Sequence, residues 1–213
     1  MINKFIVLLF TLFFFAFPSL NAETGQNKTI IDEWYKVRVP APPDLTNVNI
    51  EAGSTALLIL DMQTNICKPN TRPRCVSTIP NIKKLLSKAR AKGILIVYSN
   101  TIGASPEDIL KDLAPLPGDP VVKSSADKFY NTELENILKG KGIKTAIITG
   151  TSAHGAVLNT ATGASERGFK VIIPVDGMSA DIPYAEQYTA WHLVNSPATR
   201  RNVTLTSVDL LNF

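Results

Sequence analysis

Apolar and polar positions alternate along this chain in two distinct rhythms. Short, unbroken apolar runs recur at Thr55–Leu60, Ile94–Tyr98, Val121–Val122, Ala146–Thr149, Phe169–Pro174 and Val203–Thr206. Runs of this length without alternation predict strands covered on both faces, the habit of a parallel sheet. Between them the period lengthens. Ile82, Leu85, Leu86 and Ala89 form one stripe of a helix over Ile79–Lys92, with Pro80 expected near its first turn and Gly93 as its stop. Further helices are expected after Asn131 or Thr132, from Ala153 to about Arg167, and over Ala185–Asn195. Strand and helix in alternation predict an α/β fold: a three-layer α/β/α domain with a mainly parallel sheet, joined by right-handed crossovers.

The most informative stretch is Thr145–Ala161, TAIITGTSAHGAVLNTA. A buried strand here meets Gly150, expected to break it, and hydroxyls at Thr151 and Ser152 that can cap the helix beginning at Ala153. Such a turn brings unpaired N–H groups to the carboxyl edge of a sheet, where open α/β proteins bind ligands and where an oxyanion is stabilised. The first strand ends on Asp61 and the third on Lys123. Both are expected at that same edge, where an acid and an amine could hold a proton and orient water; a structural ion pair is the other reading.

The ends of the chain add organisation. Residues 1–22 carry Lys4, an apolar core from Phe5 to Phe17, then Pro18 and the small residue Ala22. This is the pattern of a cleaved signal peptide, and the core is shorter than the roughly 20 residues needed to span a bilayer, which argues against the alternative of a membrane anchor. A secreted or periplasmic protein without a stable membrane anchor is expected. Residues 23–50 read as an N-terminal arm anchored by Trp34 and Tyr35, and 51–213 as the single globular domain.

Composition changes this picture little. The 213 residues are 45% hydrophobic with a net charge of +4, enough for one core, and the scattered basic residues do not form a nucleic-acid surface. Cys67 and Cys75 are the only cysteines, and His154 and His192 the only histidines. In an exported protein the cysteines read as a disulfide closing the CKPNTRPRC loop; a free thiol at Cys67 or half of a metal site are the alternatives. No cofactor and no metal are expected.

The segments LLILDMQ, VVKSSADKFYNTELENIL and TAIITGTSAHGAVLNTATGASERGFKVIIPVDGMSA, in this order, resemble the isochorismatase-like hydrolases, also called the cysteine hydrolase family. The resemblance covers Thr55 to Ala180. It implies that Asp61 is catalytic, that Lys123 rather than Lys128 assists it, that a cis peptide lies at Thr151–Ser152, and that backbone amides of the turn form an oxyanion hole. It also implies a small-molecule substrate and a homo-oligomer. One departure is large: aligning Gly150 and Val157 with the family's G-x-x-T-x-x-C-V pattern places Ala156 where the nucleophilic cysteine belongs. A methyl group cannot attack a carbonyl, so the acyl-enzyme route is closed. The segment Ala153-His154-Gly155-Ala156 is similar to that of isochorismatases proper, which also lack the cysteine and let water attack an oxocarbenium carbon. Ser152 or Cys67 as substitute nucleophiles, or a pocket that only binds, are the other readings. Ser152, His154 and Gly155 are the expected substrate contacts, with His154 either touching ligand or held structurally. His192 and Asp176 are expected to do structural work.

Overall fold

The computed structural model describes residues 28–213. The leader expected over residues 1–22 lies outside the described residues. Residues up to Val39 form a unit of their own. Its described residues include the short helix α1 (Ile30–Glu33), capped by the Thr29 side chain, and a 3-10 turn over Trp34–Lys36. Trp34 and Tyr35 are 65% and 99% exposed.

In the larger unit the strands are β1 (Val48–Asn49), β2 (Thr55–Leu60), β3 (Leu95–Asn100), β4 (Val121–Lys123), β5 (Thr145–Thr151), β6 (Lys170–Pro174), β7 (Met178–Ser179), β8 (Val203–Thr206) and β9 (Leu211–Asn212), and the longer helices are α2 (Pro73–Ala91), α3 (Leu134–Gly140), α4 (Leu158–Glu166) and α5 (Pro183–Asn195). The main sheet runs β4-β3-β2-β5-β6-β8, with β7 added beside β5, and its pairings are parallel. β1 pairs separately with β9.

The unbroken apolar runs are explained by cover on both faces. Ala56, Leu58 and Leu60 of β2 pack with Leu134, Leu138, Ala161, Ala164 and Leu193, from α3, α4 and α5. Leu57 and Ile59 point the other way, toward Ile82, Leu85, Leu86 and Ala89 of α2. The chain leaves β2 through α2 on one face and steps outward to β3. It later crosses to β5 and β6 on the other side of β2, with α3 and α4 on the opposite face. Right-handed crossovers demand this change of face when the direction of winding reverses. The reversal falls between β2 and β5, and the crevice at their carboxyl ends is where a doubly wound sheet accepts a ligand.

Three local features differ from expectation. Gly150 does not end its strand. It pairs with Leu60 and Met178 inside the sheet, with φ +117° and so little room that a Cβ would stand 2.1 Å from the Leu60 carbonyl oxygen. Glycine is therefore needed to let the two strands approach, rather than to separate strand from helix. The following helix opens with a π-helical turn, Ala153–Val157, before α4 begins. No side-chain hydroxyl caps it; the Ser152 carbonyl accepts from the Gly155 and Val157 amides instead. Finally, α2 starts at Pro73, so Pro80 lies in the helix interior. Pro73 occupies the first turn, where a missing N–H costs nothing.

Candidate active site

Asp61 follows directly on β2 and takes up φ 53°, a conformation that is strained for a residue with a side chain and is held here by its neighbours. Its amide donates to the Ser99 carbonyl, and its own carbonyl accepts from Gln63. Asp61 is 5% exposed. Ser99 Oγ donates to Oδ1 at 2.8 Å, and the Lys128 ammonium lies 2.8 Å from Oδ2. Lys128 is completely buried. Its remaining hydrogens go to the carbonyls of Ser124, 3.1 Å, and Ser125, 2.6 Å. A buried ammonium is tolerable when each of its donors has an acceptor, and this one does. Burial pushes the Asp61 carboxyl above the ordinary carboxylate range, while Lys128 and Ser99 pull it back.

The lysine beside Asp61 is thus Lys128, not Lys123. Lys123 is the last residue of β4, the edge strand of the sheet. Strand alternation buries Val122 and turns Lys123 outward, where its charge reaches Glu107. Beyond the strand the chain folds back on itself. Ser124 Oγ donates to the carbonyls of Asp127 and Tyr130, Asp127 accepts from the Phe129 amide, and Thr132 Oγ1 donates to the Lys128 carbonyl. From α4, Thr160 Oγ1 accepts the Lys128 amide. Gly163 leaves room for Asp127, whose Oδ1 would be 3.0 Å from a Cβ there. Phe129 is buried against Phe169. This looped segment carries Lys128 inward under Asp61. Its hydroxyl-rich sequence, SSADKFYNT, was the available signal: a lysine flanked by turn-forming side chains and a buried aromatic is more enclosed than one at the tip of an edge strand.

A cleft of about 340 Å³ opens above the pair, bounded by Asp61, Ile66, Arg72, Thr101, Ile102, Ser124, Ser125, Ala126, Thr151, Ser152, Gly155 and Ala156. The Thr151–Ser152 peptide is cis. Ser152, Gly155 and Ala156 face the cleft, but His154 does not; it is exposed on the outer side of the π-turn, whose Ala153, Ala156 and Val157 point inward. Asp176 binds the Val208 amide and the Asn81 side chain. Cys67 and Cys75 form a disulfide, so Cys67 offers no thiolate in this state. Among the described residues no group of three or more His, Cys, Asp and Glu side chains converges as a metal-ligand set. Arg72, inside the disulfide loop, is a cleft residue that sequence patterning did not single out.

Fold and site define a doubly wound α/β protein with an enclosed carboxylate–ammonium pair at its switch point. Residues 55–207 match the isochorismatase domain, and the chain belongs to the isochorismatase family. It is 28% identical to the N-carbamoylsarcosine amidase of Arthrobacter sp over 155 residues, 60% of this chain and 59% of that protein. It therefore spans less than two thirds of that relative's length. A secreted isochorismatase effector of Verticillium dahliae is 31% identical over 142 residues, 61% of this chain and 75% of the effector. Among solved structures, an isochorismatase family protein from Desulfovibrio vulgaris superposes with a TM-score of 0.66 at 22% identity, over 73% of this chain and 95% of its own. N-carbamoylsarcosine amidase from Thermoplasma acidophilum does so with 0.62 at 24% identity, over 73% and 97%.

Proposed function

We propose that this cleft hydrolyses a C–O or C–N bond of a small molecule by direct attack of water, without a covalent enzyme intermediate. Asp61 is the general acid or base. Lys128 holds its charge and position, and the amides of Ser152 and Ala156 face the oxygen on which negative charge develops. The observation that carries this reading is the buried Asp61–Lys128 pair opening onto the cleft beside Ala156. A carboxyl held above its usual range by burial gives up and takes back a proton more readily than an exposed one, and the methyl group of Ala156 leaves room for water where the family resemblance places sulfur.

The test is a screen of vinyl ethers, small amides and lactams against the wild-type protein and Asp61→Asn. Turnover that disappears in the variant supports hydrolysis. Ligand binding without turnover in either supports the second reading, a binding or scaffold protein, which the alanine at position 156 favours. An Ala156→Cys variant that gains amidase activity would show that the remaining groups are in catalytic register.

The same reading includes export and self-association. A buried disulfide that closes an exposed loop suits an oxidising compartment, and the Verticillium relative is described as secreted. N-terminal sequencing of the mature protein checks this; a chain that retains Met1 overturns it. Tyr184, Tyr188 and Trp191 lie on one exposed stripe of α5, at the helical spacing that makes a shared surface. Light scattering of the mature protein that finds only a species with the mass of one chain would rule out a homo-oligomer.

A further inference from the structure

Arg72 brings a positive charge to the cleft that the proton chemistry does not use. Its backbone is fixed: its amide donates to the Lys68 carbonyl, its carbonyl accepts from Cys75, and it stands at the cap position just before α2, inside the loop closed by the Cys67–Cys75 disulfide. The side chain is mostly sheltered, at 23% exposure, and its Nε lies 2.6 Å from Oδ1 of Asp181, itself 62% exposed. That contact is an ion pair without hydrogen-bond alignment, because the buried Nε makes no directed hydrogen bond. Among the described residues Asp181 is the sole anionic partner of Arg72. The other charge in the cleft, Asp61, is already neutralised by Lys128.

We infer that Arg72 is a substrate-binding residue that receives a carboxylate, so that the cleft takes small molecules carrying a free carboxylate next to the bond that is broken. The inference rests on the hydrolase reading of the cleft. A guanidinium matches a carboxylate with two parallel N–H···O bonds, and a mostly buried one with a single solvated counter-ion gains more from a second anion than an exposed arginine does. The anchored loop means that little order has to be created on binding. Ile66 and Ile102 supply apolar walls on the same rim, and Thr101 supplies a hydroxyl. The carboxylate end of the substrate is held at Arg72 while the scissile bond lies between Asp61 and the Ser152–Ala156 turn.

Asp181 gives the test its sign. It competes with a ligand for the guanidinium, so removing its charge strengthens carboxylate binding, whereas removing Arg72 weakens it. The probes are crotonate and succinate, each against its neutral amide, titrated calorimetrically into the wild-type protein, Arg72→Gln, Arg72→Lys and Asp181→Asn, with thermal melts to establish folding. Expected are binding of the acids over the amides, a loss of tenfold or more in Arg72→Gln, partial recovery in Arg72→Lys, and a gain in Asp181→Asn. Equal binding of acid and amide, an Arg72→Gln variant that binds as wild type, or an Asp181→Asn variant that binds more weakly overturns the assignment. Binding is read without turnover, so the outcomes separate: Arg72-dependent carboxylate binding with no hydrolysis of any substrate defeats the hydrolase reading alone. Hydrolysis of neutral substrates untouched by Arg72→Gln defeats the carboxylate assignment alone.

Discussion

Two ion pairs border the same cleft, and they could hardly be less alike. Asp61–Lys128 lies beneath its floor, with side-chain exposures of 7% and 0%. Arg72–Asp181 lies on its rim, at 23% and 62%. In the first pair every donor of the ammonium has a named acceptor and the carboxylate has a second donor in Ser99. In the second, the close approach is not even aligned as a hydrogen bond. The buried pair is a fixed instrument: neither partner can leave without stranding the other in low dielectric. The rim pair is exchangeable, because water can take over the charge of the solvated Asp181 when a second anion reaches the guanidinium. A proton-transfer group needs the first kind of environment, and a group that must release its partner to a ligand needs the second.

The contrast can be broken at its strongest point first. Lys128→Met strands the Asp61 carboxyl, and a loss of about 3–5 kcal/mol is expected in urea unfolding. The double variant Asp61→Leu/Lys128→Met should regain most of that stability while remaining inactive. A single variant as stable as wild type would show that the pair is not desolvated. The pH profile probes the same pair. Because burial raises the Asp61 pKa above the 3.8 of a free carboxyl, the acid limb of kcat/KM should lie above that value. For stability the sign is opposite: a raised folded-state pKa favours folding most below the unfolded value, and the benefit is lost as pH rises through the folded one. An acid limb at or below the free value would contradict the placement of Asp61.

On the rim the expected effects are smaller. Replacing both Cys67 and Cys75 by serine removes the closure of the loop that carries Arg72. It should cost about 2–3 kcal/mol in the chain-entropy account, with carboxylate affinity falling alongside stability. Asp181→Asn should cost less than about 1 kcal/mol, as exposed pairs do. Smallest of all, Lys123→Ala should stay within about 0.5 kcal/mol of wild type and keep its activity; loss of turnover there would restore the role that the family resemblance implied for it.

Much of this molecule was legible along the chain. Unbroken apolar runs marked β2, β3, β5 and β6, and the helical stripe marked the buried face of α2, because burial on two faces or one is written directly in residue type. Asp61 was legible too: a carboxylate that ends an apolar strand has to stand at the edge of the sheet. The strand-to-helix turn after β5 also followed from local pattern, although Gly150 lies within the strand and its φ is required by Leu60 on the neighbouring strand, not by the turn.

What tertiary structure alone decided was which charges meet. Lys123 and Lys128 are near neighbours with the same side chain. Only the placement of β4 at the sheet edge and the hydroxyl-tied loop after it, held by Thr160 of α4, sends one to solvent and the other beneath Asp61. His154 faced outward for a similar reason, since the π-turn assigned the inward positions to Ala153 and Ala156. Arg72 became a cleft residue because its loop folds back over the end of β2. Sequence pattern reports how each residue partitions between water and core; the partners of a charge depend on contacts between segments distant in the chain, and those exist only once the sheet is assembled.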